Sequence, residues 1–164
     1  MTVTNSTKTP EVLQLAITAE FAAAVERVWQ IWADPRQLER WWGPPTWPAT
    51  FEDYDFQPGG MAAYYMTGPD GTKGRGWWKF VSISAPTGLE LNDGFADDNG
   101  DPITEMGSAT MTVILEDLED RGGLTLMTVT TSFANEEQME KMLTMGMEEG
   151  MREAMGQIDA ILAE

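Results

Sequence analysis

The chain contains no cysteine and no histidine. The first absence excludes a disulfide framework, thiolate metal sites and thiol catalysis. The second removes the commonest general base, the commonest metal ligand and the usual partner in a nucleophilic triad. Basic residues are also scarce: 10 Lys and Arg stand against 27 Asp and Glu, a formal net charge of −17. Nucleic-acid binding needs Lys and Arg to neutralise phosphates, so it is not expected, and anionic membrane surfaces are disfavoured for the same reason. No apolar run approaches the roughly 20 residues that span a bilayer. No GxxxxGK[ST] phosphate loop occurs, and no cofactor is expected. The stretch Met1 to Thr9 lacks the apolar core of a signal peptide. It reads as a frayed tail on a single domain over residues 10–164, with a cytoplasmic location.

What is present is a change of period along the chain. Leu13, Leu15, Ile17, Ala19 and Phe21 alternate with polar residues, the mark of a half-buried strand. Val25, Trp29 and Trp32 then take helical spacing, which Asp34-Pro35 stops. A second short helix is predicted over Gln37 to Trp41. Strands follow near Thr50 to Phe56, Met61 to Thr67 and Trp77 to Ile83, separated by Pro58-Gly59-Gly60 and Gly68-Pro69-Asp70-Gly71. Leu89, Leu91 and Phe95 suggest a fourth strand of this meander. Ala109, Met111, Val113 and Leu115 share one face of the next strand. Asp120-Arg121-Gly122-Gly123 then turns the chain into Leu124 to Phe133.

Asn135 has the character of an N-cap, with Glu136 and Glu137 favourably placed in the first turn. The helix it opens is predicted to run unbroken to about Leu162, roughly 40 Å at 1.5 Å per residue. Met139, Leu143, Met147, Met151, Ala154, Ile158 and Ile161 form its apolar stripe. Gly146 and Gly150 are costly in a helix interior, about 1 kcal/mol each against Ala, and close approach of strand or loop backbone is the expected compensation. The order β-α-α-β-β-β-β-β-β-α, with strands and helices segregated, argues for an α+β fold.

Several short motifs follow one another in an informative order. Val25-Glu26-Arg27-Val28-Trp29 precedes Asp34-Pro35-Arg36-Gln37-Leu38 and Trp41-Trp42-Gly43-Pro44. Phe56-Gln57-Pro58-Gly59-Gly60 comes next, and the terminal helix carries Met145-Gly146-Met147-Glu148-Glu149-Gly150-Met151. This succession, over roughly residues 12 to 163, resembles the activator-of-heat-shock-protein-90-ATPase homologue-like family. That family lies in the START and birch-pollen-allergen-like superfamily, also called SRPBCC. The resemblance implies a helix-grip fold, a curved antiparallel sheet wrapped around a long C-terminal helix with a cavity between them. It does not imply one activity: members include small-molecule binders, polyketide cyclases and aromatases, and chaperone-associated domains.

Seven Trp and twelve Met are the most unusual feature of the composition. The candidate ligand-binding set is Trp32, Trp41, Trp42, Trp47, Tyr64, Met66, Arg75, Trp78, Met111, Met127, Met139, Leu143 and Met147. Aromatic walls and polarizable, adaptable Met side chains suit a concave apolar site. Each residue taken singly has core packing as its alternative role. Asp53, Asp55, Glu105 and Arg75 are polar candidates beside such a pocket, and a carboxylate desolvated among aromatics would have a raised pKa. Solvated strand faces are the favoured reading for each of them. Tyr64 is placed to orient a ligand carbonyl or phenol. Asp93, Asp97, Asp98, Asp101 and Glu105 crowd one region, but their spacing departs from the calcium-loop pattern and turn-forming Asp and Asn account for it. No metal is expected.

The sequence therefore points first to a non-catalytic binder of a small hydrophobic or aromatic molecule. A cyclase-like or aromatase-like enzyme acting on a hydrophobic carbonyl compound is the alternative, recognised by a buried carboxylate or Arg facing the pocket. A chaperone-associated interaction module is the third. Met142 and Met145 lie off the main apolar stripe, which leaves a homodimer contact open.

Overall fold

The computed structural model describes residues 3–164. Its strands are β1 (Val3–Thr9), β2 (Gln14–Phe21), β3 (Ala49–Tyr54), β4 (Met61–Thr67), β5 (Lys73–Ser84), β6 (Gly88–Ala96), β7 (Ser108–Leu118) and β8 (Leu124–Ser132). All are antiparallel neighbours in one curved sheet of order β1-β2-β8-β7-β6-β5-β4-β3. Helices α1 (Val25–Ala33) and α2 (Pro35–Leu38) connect β2 to β3, and α3 (Glu136–Thr144), α4 (Met147–Met155) and α5 (Ile158–Leu162) close the chain. This is the α+β class that the element order argues for, in the helix-grip form that the family resemblance implies.

Strict alternation decides which face of the sheet is covered. Leu15, Ile17, Ala19 and Phe21 of β2 are buried, as are Ala109, Met111, Val113 and Leu115 of β7 and Thr125, Met127 and Val129 of β8. Their neighbours along each strand are less buried. Helix α1 packs on β7 and β8, and α4 on β2. Two aromatic residues of α1 and its following turns, Trp32 and Trp41, are fully buried and meet edge to face at 4.8 Å. Both have their indole N–H satisfied: Trp32 donates to the Met127 thioether at 3.3 Å and Trp41 to the Ile31 carbonyl at 2.9 Å. A buried indole needs such a partner.

Two expectations are corrected. Val3–Thr9 is not a frayed tail but the edge strand β1, paired with β2 from Thr9↔Gln14 to Val3↔Ala19; Met1 and Thr2 lie outside the described residues. A polar edge strand shows no apolar alternation, so its pairing is invisible to a periodicity argument, and charge on such an edge guards it against further pairing. Lys8 and Ser6 also fasten it to α4: Lys8 Nζ lies 3.0 Å from the Glu148 carboxylate, and the Ser6 hydroxyl donates to that same group.

The second correction concerns the C-terminal helix, which is present but divided. Gly146 has φ +89°, a left-handed conformation between the end of α3 and the start of α4. The short second helix is likewise earlier than expected, at Pro35–Leu38, capped by the Asp34 side chain accepting from Arg36 N. At the start of α3 the side chain of Asn135 accepts from Gln138 N while Gln138 Oε1 accepts from Ala134 N, both at 2.7 Å. That reciprocal arrangement resembles a capping box.

Candidate functional site

Between the sheet and the C-terminal helices lies a cavity of about 430 Å³. That size falls within the range of small-molecule sites, roughly 300 to 1,000 Å³. Its walls come from distant parts of the chain. Trp42, Gly43, Pro44 and Trp47 of the loop after α2 form one side; Tyr64 and Met66 of β4 and Asp93, Gly94 and Phe95 of β6 form the floor. Gly107, Ala109 and Met111 of β7 and its approach, with Thr131 of β8, continue that floor. The roof is Gln138 and Met142 of α3, Met145 and Gly146 of the helix break, and Met147, Gly150, Met151 and Ala154 of α4. Six methionines therefore face one space: Met66, Met111, Met142, Met145, Met147 and Met151. The Gln157 amide fixes the loop side to the roof by donating to the Gly43 carbonyl at 2.8 Å and the Trp41 carbonyl at 3.3 Å.

The glycines explain why there is room. A side chain at Gly146 or Gly150 would meet nothing within 4 Å, so neither is small because backbone approaches closely. The expected compensation is overturned. Gly146 supplies the left-handed break, and Gly150 leaves space in the cavity roof. Gly76 acts differently. Tyr64 pairs with Gly76 across β4 and β5, and a Cβ on Gly76 would lie 2.5 Å from both Cζ and the hydroxyl of Tyr64. The missing side chain lets the Tyr64 ring lie across β5 and reach β6.

What it reaches is Asp93. The Tyr64 hydroxyl donates to Asp93 Oδ1 at 3.4 Å, a long hydrogen bond. Asp93 sits beside Trp78 in the β5–β6 ladder, and Trp78 packs edge to face against Trp42 at 4.8 Å and against Tyr64 at 5.9 Å. Burial among these rings pushes the Asp93 carboxyl up from 3.8 to about 7, opposed in part by the Tyr64 hydroxyl, the Gly94 backbone N–H and Trp78. Burial also holds the Tyr64 phenol well above its ordinary value, and the neighbouring Asp93 charge adds to this. The indole N–H groups of Trp42 and Trp78 are close enough to the Tyr64 oxygen to favour its charged form, yet neither makes a hydrogen bond within ordinary distance. The floor thus holds one polar cluster, Asp93 and Tyr64 with two unsatisfied indoles behind them.

Of the residues the sequence singled out, Trp42, Trp47, Tyr64, Met66, Met111 and Met147 line this cavity. The others are elsewhere. Trp32, Trp41 and Met127 are fully buried in the packed core, and Met139 is buried there too, because inward alternation and helical spacing carry them past the cavity. Trp78 is also fully buried and stands behind Trp42 and Tyr64 rather than in the wall. Leu143 packs against the core from α3. Arg75 faces away: it pairs with Glu52 at 2.8 Å and lies over the Tyr65 ring at 5.1 Å. Asp53, Asp55 and Glu105 are exposed. In the acidic loop, Asp97 Oδ1 accepts from the Asn99 and Asp101 backbone N–H groups, which is turn chemistry. Among the described residues no group of three or more acidic side chains is arranged to hold a metal ion.

Sequence reasoning did not select Asp93 as a site residue, nor Met142, Met145, Met151, Phe95 and Thr131 as cavity wall. For Asp93 a signal existed. Leu89, Leu91 and Phe95 define the inward register of β6, and Asp93 occupies the one inward position between them that is not apolar.

A sheet gripping C-terminal helices around an apolar cavity defines an SRPBCC-type domain. Residues 22–163 match the family described as Activator of Hsp90 ATPase homolog 1-like protein, and the chain belongs to that family. It is similar to a protein from Arthrobacter aurescens of known solution structure, with 62% identity and a TM-score of 0.94 over 99% of this chain and 92% of that one. A protein from Mycobacterium smegmatis, known from a crystal structure, is 44% identical with a TM-score of 0.89 over 98% and 96% of the two chains. The AHSA1 protein of Silicibacter pomeroyi, at 21% identity and a TM-score of 0.73 over 92% and 97%, shares the fold. No curated protein matches the chain. No described helix is long and apolar enough to cross a membrane.

Proposed function

We propose that the chain binds a small hydrophobic molecule in the cavity between its sheet and its C-terminal helices. The observation that carries this is the wall itself: among the described residues, six methionines and four aromatic residues surround about 430 Å³, with Asp93 and Tyr64 as the only ionisable side chains. Apolar surface with one polar cluster is the usual composition of a small-molecule site. Flexible thioether side chains let such a wall repack around ligands of different outline.

The enzyme reading has one observation in its favour, since Asp93 is a carboxyl facing the cavity. The geometry supports binding better. Chemistry on a carbonyl compound needs one group to move a proton and another, across the reacting atoms, to hold the developing charge. Here Asp93 and Tyr64 are 3.4 Å apart on one wall and can act only as a single polar cluster, and among the described residues no further ionisable side chain lines the cavity to take the second role.

A thermal-shift screen of neutral and charged apolar compounds tests the reading, with Trp emission recorded because Trp42 and Trp47 line the cavity. A ligand at about a hundred times its Kd should raise Tm by roughly 5 to 10 °C. Gly150→Phe, which adds a ring at a lining position where a Cβ meets nothing within 4 Å, should abolish that shift. A flat response in both signals across the panel overturns the proposal.

A further inference from the structure

Among the described residues the Asp93 carboxyl has no cationic partner. The ion pairs among the described residues join Lys8 to Glu148, Arg36 to Glu39, Arg40 to Glu164, Arg75 to Glu52 and Arg121 to Glu20, all away from the cavity. Among the described residues no Lys or Arg lines the cavity wall. The groups that reach the carboxyl from the protein are neutral: the Tyr64 hydroxyl at 3.4 Å, the Gly94 backbone N–H and the Trp78 indole. A carboxylate taken out of water into apolar surroundings must be neutralised or paired. Without a ligand, a bound proton meets that need, in keeping with an ionisation near pH 7. A ligand carrying its own positive charge would meet it instead.

The surrounding wall favours such a charge. Trp42, Trp47 and Tyr64 line the cavity beside Asp93, and a cation near an aromatic ring is attracted most strongly where water is excluded. The thioethers around them are polarizable. At longer range, a chain of net charge −17 concentrates cations and repels anions.

We propose that the cavity takes a flat, apolar amine whose ammonium group pairs with the Asp93 carboxylate while its rings lie against the Trp and Met walls. This rests on the binding reading above and adds the charge of the ligand to it. Anionic lipids and fatty acids are then poor ligands despite their apolar chains, because their head groups would meet an uncompensated carboxylate.

Three probes of one shape separate the charge from the hydrophobic contribution: 2-naphthylmethylamine, 2-naphthalenemethanol and 2-naphthoate. Their Kd values are measured by Trp fluorescence and calorimetry at pH 8 on the full chain and on Asp93→Asn. In the unmodified chain the amine should bind at least about tenfold more tightly than the alcohol, and the carboxylate most weakly. In Asp93→Asn the amine should lose that advantage while the alcohol keeps its affinity. Raising the salt concentration should leave most of the difference in place, because a buried pair is screened less than surface charge. Equal binding of amine and alcohol by the unmodified chain overturns the inference and leaves the binding reading standing. An amine preference that survives Asp93→Asn overturns it as well, since the net charge alone would then be responsible. Failure of all three probes to bind at millimolar concentration counts against both readings.

Discussion

Replacing Asp93 by Asn should stabilise the chain, and by an amount that depends on pH. Burial raises the Asp93 carboxyl from 3.8 to about 7. Between those values the folded chain holds a proton that the unfolded chain has released. Stability contributed by this group is therefore full below the unfolded value, falls as pH rises, and levels off above about 7. Integrating over the two ionisations, the carboxyl costs the folded chain about 1 to 2 kcal/mol at pH 5 and about 4 kcal/mol at pH 8. Asparagine keeps the shape, accepts the Tyr64 hydrogen bond and carries no charge. The advantage of Asp93→Asn over the unmodified chain should thus grow by about 2 to 3 kcal/mol from pH 5 to pH 8, which is roughly 5 to 10 °C in Tm for a domain of this length. Urea unfolding at each pH measures it directly. Asp98→Asn, in the exposed loop, is the control that subtracts the general relief of removing one charge from an acidic chain. A difference between Asp93→Asn and the unmodified chain that stays constant across this pH range would mean that the Asp93 carboxyl is not raised by folding.

Four other substitutions test the packing that builds the site, each by urea unfolding. Gly76→Ala forces the Tyr64 phenol off its seat over β5, and should cost about 1 to 3 kcal/mol as an overpacked core does. Thr125→Val removes the fully buried hydroxyl that donates to the Ala23 carbonyl at 2.7 Å, and should cost about 1 to 2 kcal/mol. The two helix glycines should respond with opposite signs. Gly150→Ala, inside α4 with open space around it, should stabilise by up to about 1 kcal/mol, whereas Gly146→Ala should destabilise by about 1 to 2 kcal/mol because its φ is +89°.

Most of the fold was legible because it is written in period. The strand predicted over Met61 to Thr67 is β4 residue for residue, and the alternations that begin at Leu13, Ala109 and Leu124 are β2, β7 and β8. The Asn135 cap was legible because its chemistry is local. What the sequence hid was geometry that the period does not carry. The apolar stripe of the last helix runs on through Gly146, so the stripe itself gives no sign that the backbone there turns left-handed. Composition could not separate Trp41 from Trp42 either. They are adjacent in a turn, where no helical or strand rule assigns faces, and one is sealed in the core while the other faces the cavity.

The division of the helix and the ionisation of Asp93 have a common origin. A straight, unbroken helix following its apolar stripe would lay Met and Leu side chains along the sheet and leave little space above β6. The break at Gly146, the missing side chain at Gly150 and the Gln157 tether to the Trp42-Gly43 loop hold the roof away from the floor. Rings brought in from β4 and from the loop then surround the one inward-facing acid of β6 without supplying a base for it. Filling the space with apolar side chains would leave Asp93 with nothing but a proton to neutralise it. Leaving the space open keeps the carboxyl available to whatever enters, which is why the same substitution, Asp93→Asn, is expected to gain stability and lose selectivity together.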